Sequence, residues 1–165
     1  TVWDAFRMGW VADDQVHCVT PEDLASGPHT VMVTPQEVFG GARKTIIIPI
    51  DERNDVVVIE SRRPFGYSEW QDSESGLLIY TVNPSVQSVE LMSREAQRSC
   101  GNTEEFSKWA YYLYPDSVDM NRLDCNDFTK AFVREGDTLT HEGIRISLEF
   151  STEDLDYVLL EAVSP

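Results

Sequence analysis

The sequence has few cations, few cysteines and no long apolar run, and each shortage excludes a class of protein. Thirteen Lys and Arg residues stand against 29 Asp and Glu residues, which gives a formal net charge of −16. Such a surface repels nucleic-acid phosphates and anionic lipid headgroups, so we expect neither nucleic-acid binding nor attachment to an anionic membrane. No segment approaches the ~18 apolar residues of a membrane span.

The three cysteines do not form a CxxC pair, so we expect no structural zinc site. Cys100 and Cys125 enclose a polar insertion, and a disulfide between them in an extracellular protein would add about 3 kcal/mol of stability in the loop-entropy picture. The alternative is three free thiols. In either case one cysteine is left over.

The remaining composition is that of a folded domain with a β-rich core. Hydrophobic residues make up 41% of the chain, with seven Phe, six Tyr and four Trp. Near the end of the chain, Ile144, Ile146, Leu148 and Phe150 alternate with polar residues at a period of two. This pattern predicts a half-buried strand, and residues 157–163 then return as its partner.

Two continuous apolar runs, 56–61 and 76–82, are typical of strands buried on both faces. Shorter strands are predicted at 30–34 and 45–50, and Pro49 in the second should lie at an edge or a bulge, since it has no N–H to donate. Short strands with frequent turns favour a mainly β fold, an antiparallel β-sandwich with a short N-terminal helix.

The first ten residues predict that helix. Thr1 can cap it, Val2, Phe6 and Trp10 recur every fourth residue, and Gly9 can end it. We divide the chain into a terminal helix, 1–12, and a sandwich domain, 13–165. The apolar side chains of the helix need a surface to cover them, either on a protein partner or on this same domain; they are Trp3, Phe6 and Trp10.

No catalytic constellation is visible in the chain. The segment from His141 to Arg145 begins like HExxH but has Arg in place of the second His, and no GxSxG elbow occurs. We therefore predict no catalytic residue, no metal ligand and no enzyme activity for this chain by itself. Glu60 and Arg62, two apart on a predicted strand, share a face and form either a structural ion pair or a substrate-facing one.

Two kinds of binding feature remain open. Calcium binding is possible where carboxylates cluster, although no cluster has the EF-hand pattern and a solvated acidic surface is the alternative. A ligand could also lie on exposed aromatic rings, whose alternative role is core packing. The acidic clusters are Asp13-Asp14, Asp51/Glu52/Asp55, Asp72/Glu74 and Glu153/Asp154/Asp156, and the candidate rings are Trp70, Trp109, Tyr111 and Tyr112.

The order of several short motifs resembles the C-terminal β-rich region of secreted metalloproteases of the immune-inhibitor-A type, the M6 family. The motifs are Met8-Gly9-Trp10-Val11, the run Val57 to Arg62, Gly66-Tyr67, Gly76 to Val82, and Gly143-Ile144-Arg145-Ile146. One departure is Asn83, where that family commonly has Asp. The zinc motif itself does not occur in this chain.

The resemblance implies an extracellular location and an upstream catalytic domain as partner, with zinc expected only in that domain. It makes this chain a non-catalytic accessory domain that packs on the catalytic domain and stabilises it. The alternative hypothesis is an autonomous extracellular module that binds carbohydrate or protein through its sandwich.

Overall fold

The computed structural model of the chain describes residues 1–50, 55–64, 75–84, 110–119 and 128–163. Two short α-helices and ten strands lie in these ranges, with single 3₁₀ turns at Asp13–Gln15 and Phe128–Ala131. The elements are α1 (Val2–Arg7), β1 (Val16–Cys18), α2 (Pro21–Ser26), β2 (His29–Val33), β3 (Thr45–Pro49), β4 (Val56–Arg62), β5 (Gly76–Val82), β6 (Ala110–Tyr112), β7 (Phe132–Val133), β8 (Thr138–His141), β9 (Ile144–Ser151) and β10 (Asp156–Ala162).

The strands form two sheets. Sheet A has the order β1-β3-β4-β5-β6, with β7 also paired to β5, and sheet B has the order β2-β10-β9-β8. Strand β1 runs parallel to β3, whereas the other described pairs are antiparallel. The predicted mainly β fold with a short N-terminal helix is confirmed.

The main core lies between the two sheets. Alternate residues of the central strands of both sheets point into it, as the period of two requires. One continuous cluster of buried side chains contains residues of both sheets, among them Val31, Val33, Ile46, Ile48, Val57, Ile59, Leu77, Ile79, Ile144, Ile146, Leu148, Val158 and Leu160. The sheets therefore pack face to face, as in a sandwich.

Sheet A is also covered on its outer face, which explains why β4 and β5 read as continuous apolar runs. Val58, Leu78, Tyr80 and Phe132 form a second buried cluster there, and the half-buried Trp3 of α1 packs against it. Helix α1 thus adds a third layer. The N-terminal helix lies on the sandwich domain, so the apolar residues Val2 and Trp3 are covered by this chain itself.

Helix α2 is a second short helix, besides the N-terminal helix that was predicted. Thr20 caps it in a reciprocal box with Asp23, and Pro21 occupies the first turn. Both are ordinary start signals for a helix, and they could have been found in the sequence Thr20-Pro21-Glu22-Asp23. Leu24 then inserts into the main core, which anchors the crossing from sheet A to sheet B.

Strand β9 departs from the strict alternation predicted for it. The pairing with β10 shifts register, since Tyr157 faces Phe150 but Val158 faces Leu148, which leaves Glu149 as the extra residue of a β-bulge. The bulge turns Phe150 out of the core, and the ring is 52% exposed. The expectation that Phe150 shares the buried face of Ile144, Ile146 and Leu148 is therefore wrong.

Candidate functional site

The best-defined polar site lies under α1, on the outer face of sheet A. Glu60 is fully buried, and its Oε2 accepts the backbone N–H of Val2 at 2.6 Å and the hydroxyl of Tyr80 at 2.9 Å. Its other oxygen accepts from Nη1 of Arg62 at 3.1 Å. The Tyr80 hydroxyl in turn accepts the backbone N–H of Trp3 at 3.3 Å.

This arrangement supplies hydrogen-bond acceptors for the backbone N–H groups in the first turn of α1. The first N–H groups of a helix have no partner within the helix, and a carboxylate at that end is favoured by both hydrogen bonding and the helix dipole. Thr1 and Asp4 form a capping box at the same end, and Glu60 supplies a third, long-range acceptor. Burial, together with the nearby Glu60 charge, raises the pKa of Tyr80, so its hydroxyl stays a donor.

Arg62 joins this site to the loop that follows β2. Its Nε donates to Oε1 of Glu37 at 2.6 Å, and the other oxygen of Glu37 accepts the backbone N–H of Arg63 at 2.9 Å. Arg62 thus lies between two buried carboxylates, Glu37 and Glu60. Glu60 is buried and accepts hydrogen bonds from three groups, so the Glu60–Arg62 pair has the surroundings of a structural pair rather than of a solvent-facing one.

The loop itself, residues 34–44, is held from inside by a buried lysine. Nζ of Lys44 donates to the carbonyl oxygens of Pro35 at 3.0 Å and Val38 at 2.5 Å, and burial lowers its pKa. Gly41 has a φ of +85°, and a Cβ on it would lie 2.4 Å from Oγ1 of Thr34. The tip residue Phe39 is fully exposed.

A second buried network ties sheet A to sheet B. Arg63 donates through both terminal nitrogens to the fully buried carboxylate of Asp156, and through Nη2 to Oγ of Ser151 and the carbonyl of Thr152, each at 2.7 Å. Ser151 Oγ also donates to Asp156 at 2.7 Å. Asp156 therefore belongs to a structural network and is not part of a solvated acidic cluster.

The outer face of sheet B carries an aromatic row. Met32, Tyr157 and Phe150 are direct cross-strand neighbours on β2, β10 and β9, and the Tyr157 and Phe150 ring centroids are 5.9 Å apart. Met32 is 47% exposed. Farther along the same two strands, Arg145 and Glu161 form an exposed pair with 3.9 Å between Nη1 and Oε2. The alternation in the sequence does not indicate this face, because only the bulge brings Phe150 onto it.

The aromatic residues predicted for interfaces and ligands lie partly within the described residues, and these differ in exposure. Trp3 and Phe6 contact each other at 6.1 Å between centroids, whereas Trp10 is 73% exposed. Tyr112 is 40% exposed and meets Tyr80 edge-on. Trp70, Trp109, Cys100 and Cys125 lie outside the described residues, as does the side chain of Tyr111.

The segment that begins like a zincin motif is a β-turn. His141 ends β8, and Glu142 and Gly143 form a two-residue hairpin loop with φ values of 47° and 75°. Two central residues with positive φ are the mark of a type I′ turn. The His-Glu pair therefore reflects hairpin geometry, and no imidazole one helical turn away can share a metal with His141.

The described residues hold no group of three or more His, Cys, Asp or Glu side chains placed to bind a metal ion. Of the predicted acidic clusters, Asp51, Glu52, Asp72 and Glu74 lie outside the described residues. Cys18 is a free, exposed thiol. No helix in the described ranges is long and apolar enough to cross a membrane.

Comparison of the chain with protein-family models, with curated proteins and with solved structures gives no match.

Proposed function

We propose that the chain is a non-catalytic accessory domain of a secreted, M6-like zinc metalloprotease, which packs on the catalytic domain and stabilises it. The observation that carries this proposal is the attachment of α1 to sheet A through the buried Glu60. In the M6 metalloproteases that the motifs resemble, the residues that correspond to the end of this helix lie where the chain leaves the catalytic domain.

The attachment of α1 to sheet A would give an accessory domain a rigid connection to its neighbour. Val2 and Trp3 are held by hydrogen bonds to Glu60 and Tyr80, so a domain joined before the helix would have a defined orientation relative to sheet A. The exposed side chains of Met8 and Trp10 follow the helix and offer apolar surface for a neighbouring domain. Zinc and peptidase activity would belong to that neighbouring domain.

The test uses the polypeptide as its natural source secretes it. Intact mass and peptide sequencing should reveal a longer chain with an HExxH segment upstream of residue 1. In that chain, Glu60→Gln should shorten the half-life of peptidase activity on heating, while Glu161→Gln, at an exposed ion pair, should leave it unchanged. A secreted chain with no zinc-binding segment refutes the proposal.

A second candidate function is an autonomous extracellular binding module. The specific observation in its favour is the solvent-facing row of Met32, Tyr157 and Phe150 on sheet B. Exposed apolar rows with defined geometry are typical of binding surfaces. For this candidate function, the ligand face is the outer face of β9 and β10 and not the set of aromatic residues expected from the sequence.

A further inference from the structure

The two edges of sheet B differ in whether their outward backbone groups are bound. At the β8 edge, the backbone N–H of Asp116 donates to the carbonyl of Thr138 at 2.8 Å, and Oδ1 of Asp116 accepts the backbone N–H of Thr140 at 2.9 Å. Asp116 therefore closes that edge. The opposite edge of the sheet is β2, and in the described ranges no comparable contact covers the middle of this strand.

The hydrogen bond that follows β2 shows which of its backbone groups face away from the sheet. Thr34 donates its N–H to the carbonyl of Arg43 at 2.7 Å, and not to β10. Backbone groups alternate in direction along an antiparallel strand, so those of Thr30 and Met32 also point away from β10. Within the part of the chain that the structure describes, neither residue has a hydrogen-bond partner on this side, and both are exposed.

Strand β2 lacks the features that usually protect an open edge, which are charged side chains, proline and bulges. Its five residues, His29–Val33, include no Asp, Glu, Lys, Arg or Pro, although the chain carries a net charge of −16. Its pairing with β10 is regular from end to end. The open stretch is bounded, because Pro28 before it has no N–H and Arg43 already binds Thr34 after it.

We propose that two copies of the chain pair through β2, antiparallel and about a two-fold axis at Val31. In this register Thr30 of each copy lies opposite Met32 of the other copy. Each of these two pairs would exchange two backbone hydrogen bonds, since both residues direct their N–H and C=O groups outward. The two sheets B would then form one continuous sheet, and the outward donors of the open stretch would all be bound.

The bounds of the open stretch select a second copy as the occupant. An extended segment of another protein that continued past Thr34 would meet the main chain of Arg43. A second β2 avoids this, because its chain turns away at Gly27 into α2. The closed β8 edge then limits the assembly to two copies, as an isologous contact requires.

The side chains and charges of β2 agree with this pairing. Met32, which is 47% exposed, would pack beside Thr30 of the other copy as a cross-strand neighbour. Since β2 carries no carboxylate, the pairing sets no acidic groups directly against each other. The remaining repulsion is that between the net charges of the two chains, which salt screens.

The dimer should be weak, because five residues on each side bury less surface than the ~1,200 Å² at which stable interfaces begin. We expect a dissociation constant on the order of 100 µM. The first test is sedimentation velocity of the whole chain at about 5 to 500 µM, in about 0.5 M salt to screen the repulsion. The sedimentation coefficient should rise from that of a monomer to that of a dimer.

Two substitutions at one position separate backbone pairing from side-chain contact. Met32→Pro removes the outward N–H and leaves the hydrogen bonds to β10 intact, since an edge strand tolerates Pro where the N–H faces solvent. It should weaken the dimer about tenfold or more, because two of the four backbone bonds are lost. Met32→Thr keeps the N–H and should change the affinity by less than about threefold. Equal circular dichroism spectra would show that both variants are folded.

Disulfide cross-linking reports the register directly. A mixture of Thr30→Cys and Met32→Cys chains should form a covalent dimer on mild oxidation, because opposite Cα atoms of a hydrogen-bonded pair lie about 5.5 Å apart. Either variant alone should not, since like positions are offset by two residues, which gives a Cα separation of about 8 Å. Both variants carry Cys18→Ser to remove the exposed thiol, and a disulfide through any other cysteine would appear in the unmixed samples as well.

Two outcomes overturn the proposal. One is a monomer over the whole concentration range with no disulfide specific to the mixture, which would leave the open edge to an extended segment of another protein. The other is a dimer that folded Met32→Pro retains, particularly one that Phe150→Ala abolishes, since the contact would then lie on the outer face of sheet B. Neither outcome bears on the accessory-domain proposal, which is tested through α1 and the secreted polypeptide.

Discussion

Replacing Glu60 by Gln should destabilise the domain far more than the loss of one surface carboxylate does. The Glu60 side chain is fully buried and accepts from Val2, Tyr80 and Arg62. Gln has one acceptor oxygen in place of two and adds an N–H₂ group. If that oxygen serves Val2 and Tyr80, the N–H₂ faces Nη1 of Arg62, and two donors then oppose each other.

The expected loss is about 3 kcal/mol. Removing one partner of a buried ion pair costs roughly 3–5 kcal/mol, and the low end applies because Arg62 keeps its 2.6 Å contact with Glu37. For a chain of this size, that loss lowers the thermal midpoint by roughly 6–12 °C. Urea unfolding followed by circular dichroism measures the loss, and hydrogen exchange at the Val2 and Trp3 amides reports whether α1 has detached.

Glu161→Gln supplies the reference, because its carboxylate is 31% exposed and lies 3.9 Å from Arg145. It should cost under about 1 kcal/mol. Equal urea midpoints for the two variants would contradict a stabilising role of Glu60. A loss of stability in Glu60→Gln with full protection of the Val2 and Trp3 amides would show that Glu60 does not hold α1.

Two further predictions concern the loop after β2 and the strand β1. Gly41→Ala should cost more than Gly40→Ala, by about 1–3 kcal/mol of overpacking, because both residues have positive φ but only at Gly41 would a Cβ meet Thr34. Equal urea midpoints for the two variants would contradict this. Burial, with a smaller contribution from the Arg43 charge, lowers the pKa of His17, so the folded state favours neutral imidazole. The contribution of neutral His17 to stability is therefore present above the unfolded-state pKa of about 6.5, and it is lost as the pH falls below that value. His17→Gln should reduce the fall of the thermal midpoint between about pH 7 and pH 5. An unchanged dependence of the midpoint on pH would contradict a lowered pKa of His17.

The strands whose pattern depends on burial alone could be predicted from the sequence. Residues 56–61 and 76–82 are apolar on both faces because the main core covers one face and α1 covers the other. The final hairpin was predicted because its inner residues, from Ile144 to Leu148, alternate strictly. In each case the local pattern of apolar side chains indicates whether one face or both faces of the strand are buried.

The features that depend on distant residues could not be predicted in this way. Val2 meets Glu60 across 58 positions, and Arg63 meets Asp156 across 93. The spacing of Glu60 and Arg62 on one strand predicts a shared face but not the helix above it. Likewise, Phe150 follows the apolar alternation in the sequence, and only the register of β10 against β9 shows that it points to solvent.

Arg62 and Arg63 connect the two buried networks, since Arg62 ends β4, Arg63 follows it, and their side chains point to opposite faces of sheet A. Arg62 serves α1 and Glu37 outside sheet A, while Arg63 serves Asp156 on sheet B. Glu37 accepts the backbone N–H of Arg63 at 2.9 Å, and Nη1 of Arg63 donates to the carbonyl of Arg62 at 2.9 Å.

Glu60 and Asp156 are thus the ends of one hydrogen-bonded chain, although they lie on different sheets. Independent sites are usually additive within about 0.5 kcal/mol, whereas members of one network are not. A double-mutant cycle of Glu60→Gln with Asp156→Asn, measured by urea unfolding, should therefore give a coupling of more than 0.5 kcal/mol, about the lower bound for a network. The cycle of Glu60→Gln with Glu161→Gln should be additive, because Glu161 pairs with Arg145 and lies outside the network of Arg62 and Arg63. Additivity in both cycles would mean that the Glu60 site under α1 and the Asp156 network are energetically separate, and that Arg62 and Arg63 do not couple them.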